Sequence, residues 1–151
     1  ERYFKNNSKN TVELIFNMKH LFYIYCVSIF GFITYMTPQK TLEKSISDGK
    51  EVYQDFCTQC HLDNGKGVSG TFPPLAKSDY LQNNIEASIR GIKYGQRGKI
   101  TVNGIEYDGI MSMQGLDDEE VADVMNYILN SWGNKAKEQI SITQVTEVQK
   151  K

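Results

Sequence analysis

The chain has 151 residues, enough for one domain around one hydrophobic core. Three cysteines, two of them three apart at Cys57 and Cys60, exclude a multi-disulfide framework and leave a local Cys-x-x-Cys motif, with Cys26 alone in an apolar segment. Net charge is -1, but residues 1–40 hold five basic and two acidic side chains, leaving 12 basic and 16 acidic ones downstream. That acidic surplus provides no electrostatic footprint for nucleic acid, which needs a clustered basic excess.

Residues 1–17 show no convincing period and are expected to be an upstream or unstructured segment, with Met18 the natural start. Met18-Lys19-His20 then precedes a run from Leu21 to Gln39 without charge, the arrangement of an export signal. The 16 apolar residues 21–36 fall between a signal core and a spanning helix, which needs about 20. No Ala-x-Ala cleavage site follows and Tyr35 suits a membrane interface, so residues 18–37 read as a signal peptide or membrane anchor, the anchor being favoured. Bulky Tyr23 and Tyr25 argue against lipoprotein processing at Cys26. Residues 38–46 are expected to be a linker.

From Ser47 the pattern becomes helical, with Val52, Tyr53 and Phe56 on neighbouring turns leading into Cys57. The stretch from His61 to Ser78, with Gly65, Gly67, Gly70, Pro73 and Pro74, is a looping excursion. Asn84 to Ile92 allows a short helix. β-branched residues at 100–102 and 105–107 flank Asn103-Gly104, which predicts a hairpin with a type I′ turn. Asp117-x-x-Glu120 opens the last strong helix as a capping box, and the acidic run there complements the helix dipole rather than marking an acidic-partner patch. Val121, Val124, Met125, Ile128, Leu129 and Trp132 form one apolar stripe, stopped by Gly133 and Asn134. Residues 135–151 are expected to be a polar C-terminal tail.

Chemistry resides in Cys57-Thr58-Gln59-Cys60-His61, the attachment signature of c-type haem. On a helical turn, residues i, i+3 and i+4 share a face, so two sulfurs can meet one porphyrin edge while the imidazole aims at the iron. A zinc site would need two more soft ligands, yet the other Cys and His, Cys26 and His20, lie in the export segment. A thioredoxin-like pair would need a βαβ context, and a structural disulfide leaves His61 unexplained. Downstream of His61 there is no further histidine, so the soft ligands available for a second axial position are Met111, Met113 and Met125, of which Met125 sits on the apolar stripe.

Over residues 47–134 the sequence resembles the class I c-type cytochromes, and among them the bacterial single-haem domains that serve periplasmic oxidoreductases and terminal reductases. The resemblance rests on Gly49-Lys50-Glu51-Val52-Tyr53, on CTQCH with Gly65-Lys66-Gly67, on Phe72-Pro73-Pro74-Leu75-Ala76, on residues 100–111 and on residues 118–134, in that order. It implies an all-α cytochrome c fold for 47–134, in which N- and C-terminal helices cross around a covalently bound haem, with a small hairpin before the axial methionine loop. It further implies that Gly49 permits the close helix crossing and Tyr53 fills its angle. A carbonyl of the proline-rich loop, here that of Pro73, would accept a bond from the ligand histidine, and Leu75 would pack on the haem face.

Met111 ends Tyr107-x-Gly109-x-Met111, where such cytochromes carry their methionine ligand. They usually have proline next; here Ser112 follows, and Met113 competes. The resemblance thus implies one haem c held by Cys57, Cys60, His61, Pro73, Leu75 and Met111, with His61 and Met111 on the iron. The function implied is that of a one-electron carrier in extracytoplasmic electron transfer, not an enzyme. Its partners would be a donor and a terminal acceptor protein, in the periplasm or at a membrane tether on the outer side of the cytoplasmic membrane. The alternatives are a dedicated subunit of a dehydrogenase, nitrite reductase or oxidase complex, and a sensor or peroxidase, for which no distal His or Arg argues.

Overall fold

The computed structural model describes residues 18–29 and 40–150, in two units divided between Gln39 and Lys40. In the first, residues 18–29 form α1 with every side chain exposed, and among the described residues no helix is long and apolar enough to cross a membrane. The upstream segment 1–17, residues 30–37 of the signal or anchor, and positions 38 and 39 of the linker lie outside the described residues. The second unit runs α2 (Leu42–Phe56), α3 (Thr58–His61), α4 (Asp79–Asn83), α5 (Ile85–Tyr94), β1 (Ile100–Val102), β2 (Ile105–Tyr107), α6 (Asp118–Leu129) and α7 (Ile142–Glu147).

Helix α2 begins at Leu42, so residues 42–46 are its first turn and not the expected linker. The reason is polar rather than apolar. Thr41 Oγ1 accepts from the Lys44 N–H at 3.3 Å as an N-cap, and buried Ser45 donates to Asp123 of α6 at 2.5 Å. No hydrophobic period announces such a turn.

Helices α2 and α6 cross at Gly49, where an added β-carbon would lie 1.9 Å from the Asp123 carbonyl oxygen. The missing side chain is therefore what lets the two backbones meet. Asp117 caps α6 as the sequence predicts: its carboxylate accepts from the Glu119 and Glu120 N–H groups at 2.9 Å, and the Glu120 side chain accepts from the Asp117 N–H at 2.9 Å. Val121, Val124, Met125, Ile128 and Leu129 are all buried in the core with Tyr53, Leu81 and Ile89.

The helix stops at Leu129, earlier than the stripe to Trp132 suggests, because Trp132 adopts φ +52°. That turn swings its ring onto Tyr53 and Tyr127, with centroids 5.0 and 5.5 Å away, and its indole N–H donates to Asp63 O at 3.1 Å. Asn134 then ties the helix end to the proline-rich loop, donating to Ile128 O and Leu75 O and accepting from the Lys77 N–H.

The segment 135–151 was expected to be a polar tail; instead residues 135–150 fold back against α6, with α7 started by a Ser141/Gln144 capping box. Ile140, Val145 and Val148 are its buried anchors, too few to show as a stripe. Buried Asn126 accepts from the Ile140 N–H at 2.8 Å and donates to its carbonyl at 2.9 Å, and it also donates to Ser45. Lys93 of α5 reaches Val145 O at 2.7 Å.

Lys40 closes the unit, with Nζ 2.6 Å from both Asp48 and Asp123 and 3.0 Å from Glu119. Burial alone would lower its ammonium, but hydrogen bonds to Asp123, Asp48 and Glu119 outweigh it and hold the group above the ordinary lysine range. A raised lysine contributes stability below its unfolded value of 10.5 and loses it as pH climbs through the folded value. Asp48 is held low by Lys40 and then Lys44, so its share is present above its ordinary 3.8 and lost as pH falls through the depressed value. Lys40→Ala is accordingly expected to cost about 1–2 kcal/mol at neutral pH. In chemical denaturation the gap to wild type should stay level through neutrality and narrow above pH 10.5; a gap that widened there would contradict the assignment.

Candidate functional site

Cys57 ends α2 and caps α3, with its N–H bonded to Tyr53 O at 2.9 Å, so the motif rides on a nearly continuous helix. The His61 N–H bonds Cys57 O at 2.9 Å, which completes the turn. Beneath it, the Tyr53 hydroxyl donates to Leu62 O at 2.7 Å, and the Tyr53, Tyr127 and Trp132 rings brace the point where the chain leaves the motif at φ +62°. Gly65 lets this brace close: at φ +65° it carries the Trp132 ring where a β-carbon would be only 2.4 Å away.

The motif opens on a cleft of about 330 Å³, lined among others by Cys57, Cys60, His61, Pro73, Leu75 and Met111. His61 Nδ1 lies 3.0 Å from Pro73 O. A carbonyl can only accept, so Nδ1 carries the proton and Nε2 is left as the free lone pair. Burial pushes the imidazole below its usual range, although the Pro73 bond opposes this, and the ring is therefore neutral at physiological pH. The free Cys57 thiol is pushed up to about 11 by burial, with Cys60 adding to the effect.

Across the cleft, Met111 is pinned by backbone bonds to Gln96 in both directions, at 2.8 and 2.9 Å. Met113 is 64% exposed and does not line the cleft, while Met125 lines it from α6 and is wholly buried. Sequence reasoning missed the wall supplied by α5, where Ala87, Ser88, Gly91 and Ile92 face the cleft, and the hairpin's Ile100, Val102 and Tyr107. The small residues at 87, 88 and 91, which share one helical face, were the available signal. Among the described residues there is no cluster of three or more His, Cys, Asp or Glu side chains fit to hold a metal ion directly.

A mostly helical domain with one short hairpin, whose terminal helices cross beside a cleft carrying Cys-x-x-Cys-His, defines a class of protein. The family model described as cytochrome c matches residues 46–132, more than half of the chain, and the chain belongs to the cytochrome c family. It is similar to cytochrome c-552 of Thermus thermophilus, 41% identical over 96 residues that cover 60% of this chain and 72% of that protein. It is also similar to the cytochrome c subunit of alcohol dehydrogenase (quinone) from Gluconobacter oxydans, at 31% over 104 residues, 66% of this chain but 21% of the subunit. The fructose dehydrogenase cytochrome subunit of Gluconobacter japonicus matches at 31% over 115 residues, 72% of this chain and 23% of the subunit. The fold is thus the all-α cytochrome c fold, the cofactor is covalent haem c, and the function is electron transfer.

Proposed function

We propose that this chain is a one-electron carrier whose haem is attached through Cys57 and Cys60 and ligated by His61 Nε2 and the Met111 sulfur. The observation that carries the reading is that one cleft brings both cysteines, the free His61 nitrogen and the Met111 side chain together. The donor set fits the cofactor: two thiols at thioether spacing, a neutral imidazole, a soft thioether and otherwise apolar walls. Haem c supplies the one-electron ferric/ferrous couple, and a His/Met pair raises its potential.

What the protein adds is orientation. Pro73 fixes the imidazole ring and strengthens it as a donor. The Gln96 bridge holds Met111 at the loop between β2 and α6, so a weak thioether can stay in place without the proline usual after it. Leu75, Ile92, Ile128 and their neighbours exclude water. With His61 and Met111 both holding the iron, no position would remain on it for substrate, which supports a carrier rather than an enzyme. The uncharged run after Lys19 supports an extracytoplasmic location, by cleaved signal or by membrane tether. A donor dehydrogenase and a terminal acceptor are the partners this implies. The likeness to dehydrogenase cytochrome subunits supports a second reading, a dedicated subunit with the same haem and a fixed donor.

Met111→Ala is expected to give a high-spin or water-ligated haem that binds carbon monoxide, with a lowered potential, while Met113→Ala leaves the visible spectrum unchanged. Optical spectra of the two purified variants decide it. A spin change in the Met113 variant alone would move the ligand, and ready carbon monoxide binding by wild type would remove the carrier reading.

A further inference from the structure

The C-terminal segment grips one wall of the cleft from behind. Helix α5 turns Ala87, Ser88, Gly91 and Ile92 to the cleft, and its other face carries Arg90, Lys93 and Tyr94. Each of these three donates to a main-chain carbonyl of the segment: Arg90 Nε to Gln149 O at 3.0 Å, Lys93 Nζ to Val145 O at 2.7 Å, and the Tyr94 hydroxyl to Val148 O at 3.1 Å. A helix leaves its last carbonyls short of intrahelical donors, and the end of α7 takes them from α5. Lys93 also meets Asp118 of α6 at 2.8 Å, and Asp118 accepts from the Thr146 hydroxyl at 2.8 Å, so one ammonium ties three helices.

Lys93 and Tyr94 are the last two residues of α5, and from there the chain reaches Met111 without slack. Gly95 caps the helix at φ +85°, where a β-carbon would stand 2.8 Å from Met111 O. Gln96 follows at once with its two backbone bonds to Met111. That bridge is isolated from any longer strand. Such a pair of bonds opens readily unless the backbone beside it is fixed, and on the Gln96 side that backbone is the end of α5.

Resting on the Met111 ligation proposed above, we infer that residues 145–149 form a strap that acts through Lys93 and Tyr94 to keep the Gln96 bridge closed and the methionine on the iron. Lys93 and Tyr94 are positioning residues for the axial ligand, although neither lines the cleft. The folded-back segment therefore governs how often the sixth position opens, besides covering α6.

The test is titration of ferric holoprotein with imidazole, which takes the sixth position only when the methionine has left it, with global stability followed on the same samples by chemical denaturation. Wild type is compared with Tyr94→Phe, with the double variant Lys93→Leu/Tyr94→Phe, and with Lys40→Ala, which weakens the α2–α6 crossing outside the strap. Imidazole should bind the double variant about tenfold or more tightly than wild type, because each lost bond raises the population of the open bridge. Tyr94→Phe should show a smaller gain, and the methionine–iron charge-transfer band should weaken in step. Lys40→Ala should match wild type in imidazole affinity despite its lower stability. Unchanged affinity in the double variant overturns the inference. So does a gain in Lys40→Ala as large as that in the strap variants, which would make the opening global. Should the double variant not fold, Tyr94→Phe decides alone, since it removes a single hydroxyl, and an affinity equal to that of wild type overturns the inference. A wild type whose ferric spectrum lacks the charge-transfer band would instead remove the Met111 ligation itself.

Discussion

Gly49→Ala is expected to lower the melting temperature of the holoprotein by about 10 °C or more, although alanine is the better helix former by about 1 kcal/mol. The added β-carbon would stand 1.9 Å from Asp123 O, 2.3 Å from Asp123 C and 2.8 Å from Val124 N. All three are backbone atoms of α6, so no rotamer change makes room and the helices must separate. Overpacking costs roughly 1–3 kcal/mol even where side chains can adjust, and a forced backbone shift lies at or above the top of that range. Separation would also drag Met125 and Ile128 from the cleft wall and strain the bonds from Lys40 and Ser45 to Asp123. Melting followed by circular dichroism checks this, and a variant as stable as wild type would mean that α2 and α6 do not meet at this point.

The larger effect should come from preventing haem attachment. With Cys57 and Cys60 both replaced by alanine, the purified chain is expected to lose cooperative unfolding and most of its helix signal. The cleft of about 330 Å³ is lined by side chains from α3, α4, α5, α6 and the hairpin, and so lies at the centre of the domain. At about 24 cal/mol for each Å³ of cavity left behind, emptying it costs on the order of 8 kcal/mol, comparable to a whole domain's stability of about 5–15 kcal/mol. A double variant that melted in one sharp transition with native helix content would show that the protein core stands without its cofactor.

Much of the site's chemistry was legible in the one-dimensional chain because it is local. Cys57, Cys60 and His61 share a face through helical spacing alone, Asp117 and Glu120 form their capping box within one turn, and Asn103-Gly104 takes its two positive φ angles, +50° and +78°, by residue preference. Resemblance added what spacing could not, including the pairing of His61 with Pro73, which the structure places 3.0 Å apart.

The rest depended on contacts between distant residues, which carry no local period. Nothing near residue 42 reveals that Ser45 will find Asp123 at a separation of 78 residues, or that Lys40 will gather three carboxylates. Residues 135–150 look like a tail because their few apolar anchors are spread among polar ones, and only buried Asn126, grasping both backbone groups of Ile140, turns them into part of the core. Trp132 continues a helical stripe on paper, but the space beside Gly65 and the rings of Tyr53 and Tyr127 draw it into a left-handed turn. The different surroundings of Met111 and Met113 likewise depend on tertiary structure. Two residues apart and chemically identical, they are separated by the Gln96 bridge, which sets Met111 against the cleft and leaves Met113 in solvent.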